Sequence, residues 1–278
     1  MAILLAMLTT FSIATGEFLA DGVTKRTRAN EVTSTMFVAG VALTAVVALA
    51  WPGDPTRQDL LVGVLAGLAN GTGILLLYVA YSRGSLRSAA PAAAVAMSSV
   101  PIAWDVVITG TNPSARSWVG IVLGVAAIAL SSYERGEAED DRYALPIAIL
   151  AGAVFGVLLI LLGEIGDDAG GTPLFVQRIS ALVLAVIVTR ATGPRIFPSN
   201  RSDQAMSFVI GLFASAAVVL FVLALQAGGS LSIVSVIGSQ YAAVAVVLGV
   251  LLRGQRMWWW QTVGLLGASV AVALISIG

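Results

Sequence analysis

Three ionisable side chains lie inside long apolar segments of this sequence: Glu17, Asp105 and Arg178. A charged group within a membrane span costs about 2.5–3.5 kcal/mol on insertion scales, so each residue invites a functional interpretation. Counting about 1.5 Å per helical residue places Asp105 and Arg178 at a similar depth, roughly 5 and 7 Å inside one membrane face. We predict a salt bridge between them that gates this face. Snorkelling of each side chain to its interface is the alternative.

Glu17 lies roughly 7 Å inside the other face by the same count. We name the face that carries the N-terminus the near face and the opposite one the far face. The sequence has no histidine, so a buried glutamate is the natural carrier of a proton coupled to substrate movement. The alternative is a structural ion pair with Arg83 or Arg87, which flank the turn at the same level.

Uncharged polar and aromatic residues concentrate in three of the apolar segments, and prolines there free backbone carbonyls that a cavity can use. We predict that these residues line a substrate cavity and that the tryptophan stacks on a substrate ring. For each of them alone, bonding between helices is the simpler interpretation. The residues are Asn70, Ser98, Ser99, Trp104, Ser235, Ser239, Gln240 and Tyr241.

The composition limits the elements that position these residues. Of 278 residues, 58% are hydrophobic and 11% charged, with no cysteine and no histidine. Soluble domains carry about 25% charged residues, so this chain is expected to be solvated mainly by lipid. Disulfides and thiolate or histidine metal sites are excluded, and we predict no metal and no cofactor. The formal net charge of zero gives no reason to expect a nucleic-acid partner.

A membrane span needs about 20 apolar residues, and segments of this length recur along the whole chain. We predict an all-α polytopic membrane protein with ten transmembrane helices joined by short loops. The remaining residues are too few for a soluble domain. The predicted spans are 3–22, 32–51, 59–81, 86–108, 115–133, 143–163, 173–191, 204–226, 230–252 and 257–277.

The two halves of the chain resemble each other. Leu77-Tyr-Val-Ala80 compares with Phe221-Val-Leu-Ala224, and Gly84-Ser-Leu86 with Gly229-Ser-Leu231, at offsets of 144–145 residues. We predict a first five-helix repeat over 1–133, a charged linker over 134–142 and a second repeat over 143–278. Five spans per half is an odd number, so the second repeat must be inverted. Inverted repeats place a substrate site near the midplane and permit alternating access.

Several short motifs lie at matching places along the chain: Gly16-Glu17-Phe18-Leu19 at the end of the first span, Ala90-Pro91 in the fourth, and Phe155-Gly156 with Gln177-Arg178 at the start of the second half. In these motifs the chain resembles the ten-helix EamA-like branch of the drug/metabolite transporter superfamily. Gly110-Thr-Asn-Pro-Ser114 lies where relatives often have Gly-Glu-Arg-Pro-Ser. Thr111 and Gln255 replace the expected glutamates. The resemblance implies that spans 3, 4 and 9 help to line a central cavity.

We therefore expect a secondary active transporter, not an enzyme, that exports small organic metabolites or drugs from the cell by alternating access, with proton coupling through Glu17. It would lie in the plasma or inner membrane, in contact with lipid. The sequence is compatible with a monomer and with a homodimer. The chain has no nucleotide-binding motif. The alternative is a membrane-embedded lipid-pyrophosphate phosphatase, because Gly16-Glu17-Phe18-Leu19 is similar to the Glu-Phe-Leu-Pro element of the undecaprenyl-diphosphate enzymes. Ala20 replaces that proline. A membrane scaffold protein without transport activity is a third hypothesis.

The charge distribution and the family resemblance predict opposite orientations of the chain in the membrane. Loops and helix edges at the near face carry two basic residues and those at the far face carry twelve. The positive-inside rule then places the far face in the cytoplasm and both termini outside. The resembled family usually has both termini inside.

Overall fold

The computed structural model of the chain describes residues 1–84, 86–104, 114–131, 143–229, 231–254 and 258–277. Within them every regular element is helical. A short 3-10 turn, Asp167–Ala169, precedes the seventh helix. The α-helices are α1 Ala2–Thr24, α2 Ala29–Ala50, α3 Arg57–Arg83, α4 Leu86–Trp104, α5 Ala115–Ser131, α6 Ala144–Gly163, α7 Thr172–Thr192, α8 Arg201–Gln226, α9 Leu231–Ser239, α10 Tyr241–Arg253 and α11 Trp259–Ile277.

Among the described residues, six of these helices are long and apolar enough to cross a membrane: α1, α2, α3, α6, α7 and α8. The predicted all-helical membrane class is confirmed at this level. Helices α4, α5 and α11 coincide with the predicted fourth, fifth and tenth spans, but their described apolar parts are shorter. The predicted linker 134–142 and Asp105 lie outside the described residues.

The predicted ninth span is two helices, which meet at Gln240. The Gln240 amide donates at 3.2 Å to the carbonyl of Ile237, three residues earlier, whereas a regular α-helix bonds four residues back. The same carbonyl also accepts a hydrogen bond from the hydroxyl of Thr10 on α1. The hydroxyl of Ser239 also bonds back to the carbonyl of Ser235. Such bonds compete with the regular helical ladder. The break makes Tyr241 the first residue of α10.

Small residues bring the long helices into close contact. A Cβ atom at Gly67 on α3 would overlap the carbonyl oxygen of Gln177 on α7. A Cβ atom at Gly211 on α8 would overlap the carbonyl oxygen of Met36 on α2. Helix α1 packs along α8, α3 and α4 pack against α6, and α5 pairs with α11. Glycine and alanine at such contacts are typical of membrane helix bundles, where packing replaces the hydrophobic effect.

At the near face, three hydrogen bonds join residues 51–59 to residues 166–171, and we call this set of bonds the near-face clasp. The amides of Gly171 and Asp54 donate to the carbonyls of Trp51 and Asp168, each at 2.9 Å. The amide of Gly166 donates to Oδ1 of Asp59 at 2.8 Å. The end of α2, the start of α3, the end of α6 and the start of α7 therefore lie together.

At the far face, Asp203 in the first turn of α8 binds the loop that follows α1. We call this set of hydrogen bonds the far-face clasp. Arg26 Nε donates to Oδ1 of Asp203 at 2.7 Å, and the Thr27 hydroxyl donates to Oδ2 at 2.8 Å. Arg28 donates to the carbonyl of Thr192 at 2.6 Å. The end of α1, the start of α2, the end of α7 and the start of α8 therefore meet at this face.

Candidate functional site

A cavity of about 100 Å³ lies among α1, α3, α4, α6, α7, α8 and α10. Its walls are stripes of residues three or four positions apart, the spacing of one helical face. Helix α3 contributes Asn70, Ile74, Leu77 and Tyr78, and α8 contributes Ala214, Ala217, Val218 and Phe221. Most of the lining is apolar. The few polar groups must therefore provide the directional interactions with any ligand.

The carboxyl group of Glu17 lines this cavity from α1. Glu17 is 6% exposed, and in the described part of the chain its Oε2 atom has no hydrogen-bond partner. Three tyrosine side chains, Tyr78, Tyr81 and Tyr241, lie within electrostatic range of it. The rings of Tyr78 and Tyr81 stack with centroids 6.1 Å apart. A buried carboxyl that is left partly unbonded among hydroxyl groups is suited to exchange a proton or to bind a donor group.

Arg178 lines the same cavity from α7, and it is only 1% exposed. Its Nη2 atom donates to the carbonyl of Ala214 on α8 at 2.8 Å. Its guanidinium carbon lies 5.7 Å from the centre of the Phe37 ring, within the range of a cation–π interaction. No described residue bonds to its Nε atom.

The two ion pairs among the described residues join Lys25 to Asp21 and Arg26 to Asp203, so neither contains Glu17 or Arg178. The alternative ion pair of Glu17 with Arg83 is not among them, and the side chain of Arg87 lies outside the described residues. Tyr78 lies within electrostatic range of both Glu17 and Arg178. The cavity therefore holds a carboxyl and a guanidinium with Tyr78 close to both.

The predicted site residues divide between this cavity and its surroundings. The cavity brings together Asn70, Tyr241, Glu17 and Arg178. Asn70 is 4% exposed, at the middle of α3. The proposed partner of Arg178, Asp105, lies outside the described residues, so the salt-bridge gate stays a prediction.

The remaining predicted residues lie elsewhere. Ser98 donates to the carbonyl of Ala94 and lies 3.4 Å from the hydroxyl of Ser239. Ser239 and Gln240 line a second, much smaller cavity bounded by α4, α10 and α11.

The other three residues do not line the large cavity either. Ser99 donates to the carbonyl of Val95, and the buried hydroxyl of Ser235 has no described partner. Trp104 is 48% exposed, so a stacking role in the large cavity is not supported by its position.

Sequence reasoning identified Tyr241 but missed the other aromatic side chains near the two cavity charges. Tyr78 and Tyr81 lie on the same face of α3 as Asn70, eight and eleven residues further on, which is a helical spacing. That spacing was a usable signal for both. Phe155 gave no such signal, because its proximity to Gly73 depends on the packing of α6 against α3.

Comparison with known proteins gives a family. The family model for EamA-like transporters matches residues 1–133. The first half of the chain is therefore similar to the EamA-like transporters. This family belongs to the drug/metabolite transporter superfamily, and the match confirms the resemblance drawn from the sequence. It indicates a membrane transporter and does not favour the lipid-pyrophosphate phosphatase.

A solved crystal structure is similar to this chain over almost its whole length. The TM-score is 0.66, and the match covers 97% of this chain and 95% of the other at 14% sequence identity. At this identity the similarity concerns the fold alone. No curated protein matches the sequence.

Proposed function

We propose that this protein is a secondary active transporter that exports a small organic solute by alternating access. In this proposal ten spans form two inverted five-helix repeats, 1–133 and 143–278, and the solute binds in the cavity between them. One observation carries the proposal: helices of both halves enclose a cavity that contains two buried charged groups, Glu17 and Arg178. Such groups are expensive inside a membrane and mark pathways for solutes or ions.

Equivalent positions at one constant offset support the repeat. Thr56 caps the N-terminus of α3, and Asn200, 144 residues later, caps α8. The cavity stripes on the two helices follow the same offset. It relates Asn70 to Ala214, Ile74 to Val218 and Leu77 to Phe221.

The directions of the helices support the inversion. The two clasps indicate that α1 and α3 run from the near face to the far face, as α7 does. Helices α2, α6 and α8 run the opposite way. Each helix in the first half is therefore antiparallel to the helix five positions later, as inversion requires for three pairs: α1 with α6, α2 with α7 and α3 with α8.

The clasps themselves fit alternating access. Asp59 and Asp203 are 144 residues apart, each in the first turn of its helix, and each binds a loop from the other half. They do so at opposite faces of the molecule. We assign them as the two gates, of which one opens while the other stays closed. Rocking of two halves about a central site has this consequence.

Glu17 is the group through which a proton would couple to the solute. Its carboxyl is buried in the cavity, beside three tyrosines and one turn of α1 before Asp21. Protonation of a buried carboxyl removes its charge, so the loaded and empty cavity can differ in charge by one. If the protein carries a proton inwards in exchange for a solute carried outwards, the proton gradient would drive export.

A flux assay on purified protein in proteoliposomes tests this function. Radiolabelled amino acids, sugars, nucleosides and organic cations would be loaded inside, with and without a pH gradient. We expect at least one solute class to leave faster than from protein-free liposomes, with acceleration by an opposing proton gradient. Absence of flux for all classes would contradict the proposal. Release of phosphate from a lipid pyrophosphate would support the enzyme instead.

A further inference from the structure

We infer that Arg178 binds the anionic group of the solute, which is therefore a small carboxylate with an amino or hydroxyl group at its other end. This inference rests on the proposed transport function and deepens it. It assigns Arg178 to substrate recognition in addition to the gating role expected from the sequence. The argument starts from how the guanidinium is held.

Arg178 is fixed in place, but its hydrogen-bonding capacity is not used up. A guanidinium has five N–H donors in a rigid planar fork. One Nη2–H group donates to Ala214, and the Phe37 ring lies near the guanidinium carbon. In the described part of the chain the Nε–H group has no acceptor, although it is fully buried. A buried donor left without a partner is costly, and an occupant of the cavity can supply that partner.

The charge of Arg178 leads to the same ligand. Neither described ion pair contains Arg178, and the neighbouring Gln177 is neutral, buried and itself without described partners. A cation in a low-dielectric site is stabilised strongly by an anion that it contacts directly. Arginine binds carboxylate through two parallel N–H···O bonds, with specific geometry.

The rest of the cavity defines the other end of the ligand. When its carboxyl is ionised, Glu17 would repel a second anionic group and would accept a hydrogen bond from an amino or hydroxyl group. The apolar stripes of α3, α6 and α8 in the same cavity fit a short hydrocarbon segment. The volume of about 100 Å³ restricts the occupant to a small molecule.

Equilibrium binding to the purified, detergent-solubilised chain tests the inference with three matched probes. They are 4-hydroxybutanoate, its neutral amide 4-hydroxybutanamide, and the cation of 4-amino-1-butanol. Titration calorimetry at neutral pH should show the carboxylate binding about tenfold or more tightly than the amide. Arg178→Gln should remove this preference, and Arg178→Lys should keep part of it. Ser180→Ala, on the same helix but outside the cavity lining, should leave it unchanged.

The wild-type chain alone decides the matter if the variants fail to fold. Equal affinity for carboxylate and amide, tighter binding of the cation, or no binding of the carboxylate at millimolar concentration would each overturn the inference. The flux assay separates this result from the fate of the proposed function. Binding of the carboxylate without any flux would contradict transport and leave the role of Arg178 intact. Flux of a cation that is unaffected by Arg178→Gln would support transport and contradict the role of Arg178 in binding an anionic group.

Discussion

At the scale of single residues, Glu17 has the environment that a proton-coupled mechanism needs. We predict that Glu17→Gln abolishes the effect of a pH gradient on solute flux, because glutamine cannot exchange a proton. Exchange down the solute's own gradient should persist, since the amide can still form hydrogen bonds in the cavity. Proteoliposome flux with and without the gradient measures both quantities.

The control for this variant is Glu164→Gln, which changes an exposed carboxyl at the end of α6. It should leave gradient-driven flux at the wild-type level. If Glu17→Gln also kept a full response to the gradient, Glu17 would not be the coupling group.

The sequence was sufficient to find the two charges in the cavity, because ionisable residues in apolar spans are rare and therefore conspicuous. It was less informative about neutral polar residues. Asn70 and Tyr241 line the cavity, whereas Ser98 and Ser239 bond to helix carbonyls and to each other. A serine between helices and a serine in a cavity look alike in sequence. Only the packing of α4 against α9 distinguishes the two cases.

At the scale of helices, two glycines determine how closely the halves approach. We predict that Gly67→Ala and Gly211→Ala each destabilise the protein by about 1–3 kcal/mol, since the added methyl group overlaps a backbone carbonyl that cannot rotate away. Thermal unfolding in detergent would measure the loss. Gly238→Ala is the control, because a Cβ atom there meets nothing within 4 Å. Equal effects at all three positions would contradict the close packing.

Each clasp predicts that loss of its aspartate opens the cavity at one face only. Asp203→Ala should open the far face and Asp59→Ala the near face. Hydrogen bonds to a charged group contribute about 1.5–3 kcal/mol, which corresponds to about a tenfold or larger change in population. Because the chain has no cysteine, Ala214→Cys provides a single labelling site in the cavity wall. An impermeant thiol reagent, applied from one face at a time, measures the opening.

Both aspartates lie in the first turns of their helices, so loss of helix capping needs its own control. Asn200→Ala removes the side-chain cap of α8 without changing Asp203. This variant should label at the wild-type rate. Faster labelling from the same face for Asp59→Ala and Asp203→Ala would contradict their assignment to opposite gates.

Helix positions followed well from hydropathy, because a span needs a fixed length of apolar chain. The break in the ninth predicted span did not. It lies in a segment without proline, where the carbonyl of Ile237 accepts a hydrogen bond from the hydroxyl of Thr10, more than 200 residues away in the sequence. A contact of this kind between α1 and α9 cannot be read from local composition.

At the scale of the whole molecule, the proposed repeats are more similar in their helices than in the residues that they contribute to the cavity. Positions on α3 and α8 that correspond at the 144-residue offset carry Asn70 against Ala214 and Tyr78 against Val222. The polar groups of the cavity therefore come mainly from α1, α3, α7 and α10. We expect the solute to bind in one orientation, although the proposed repeats around it are similar.

The central claim is that one cavity is reached from both faces in turn. Ala217, 2% exposed in the cavity wall on α8, is a suitable probe once changed to cysteine. Ala185→Cys on α7, fully buried outside the cavity lining, is the unreactive control. Labelling of Ala217→Cys by a small impermeant thiol reagent should occur from either face of oriented vesicles, and solute should slow both rates. Labelling from one face only, or from neither, would contradict alternating access.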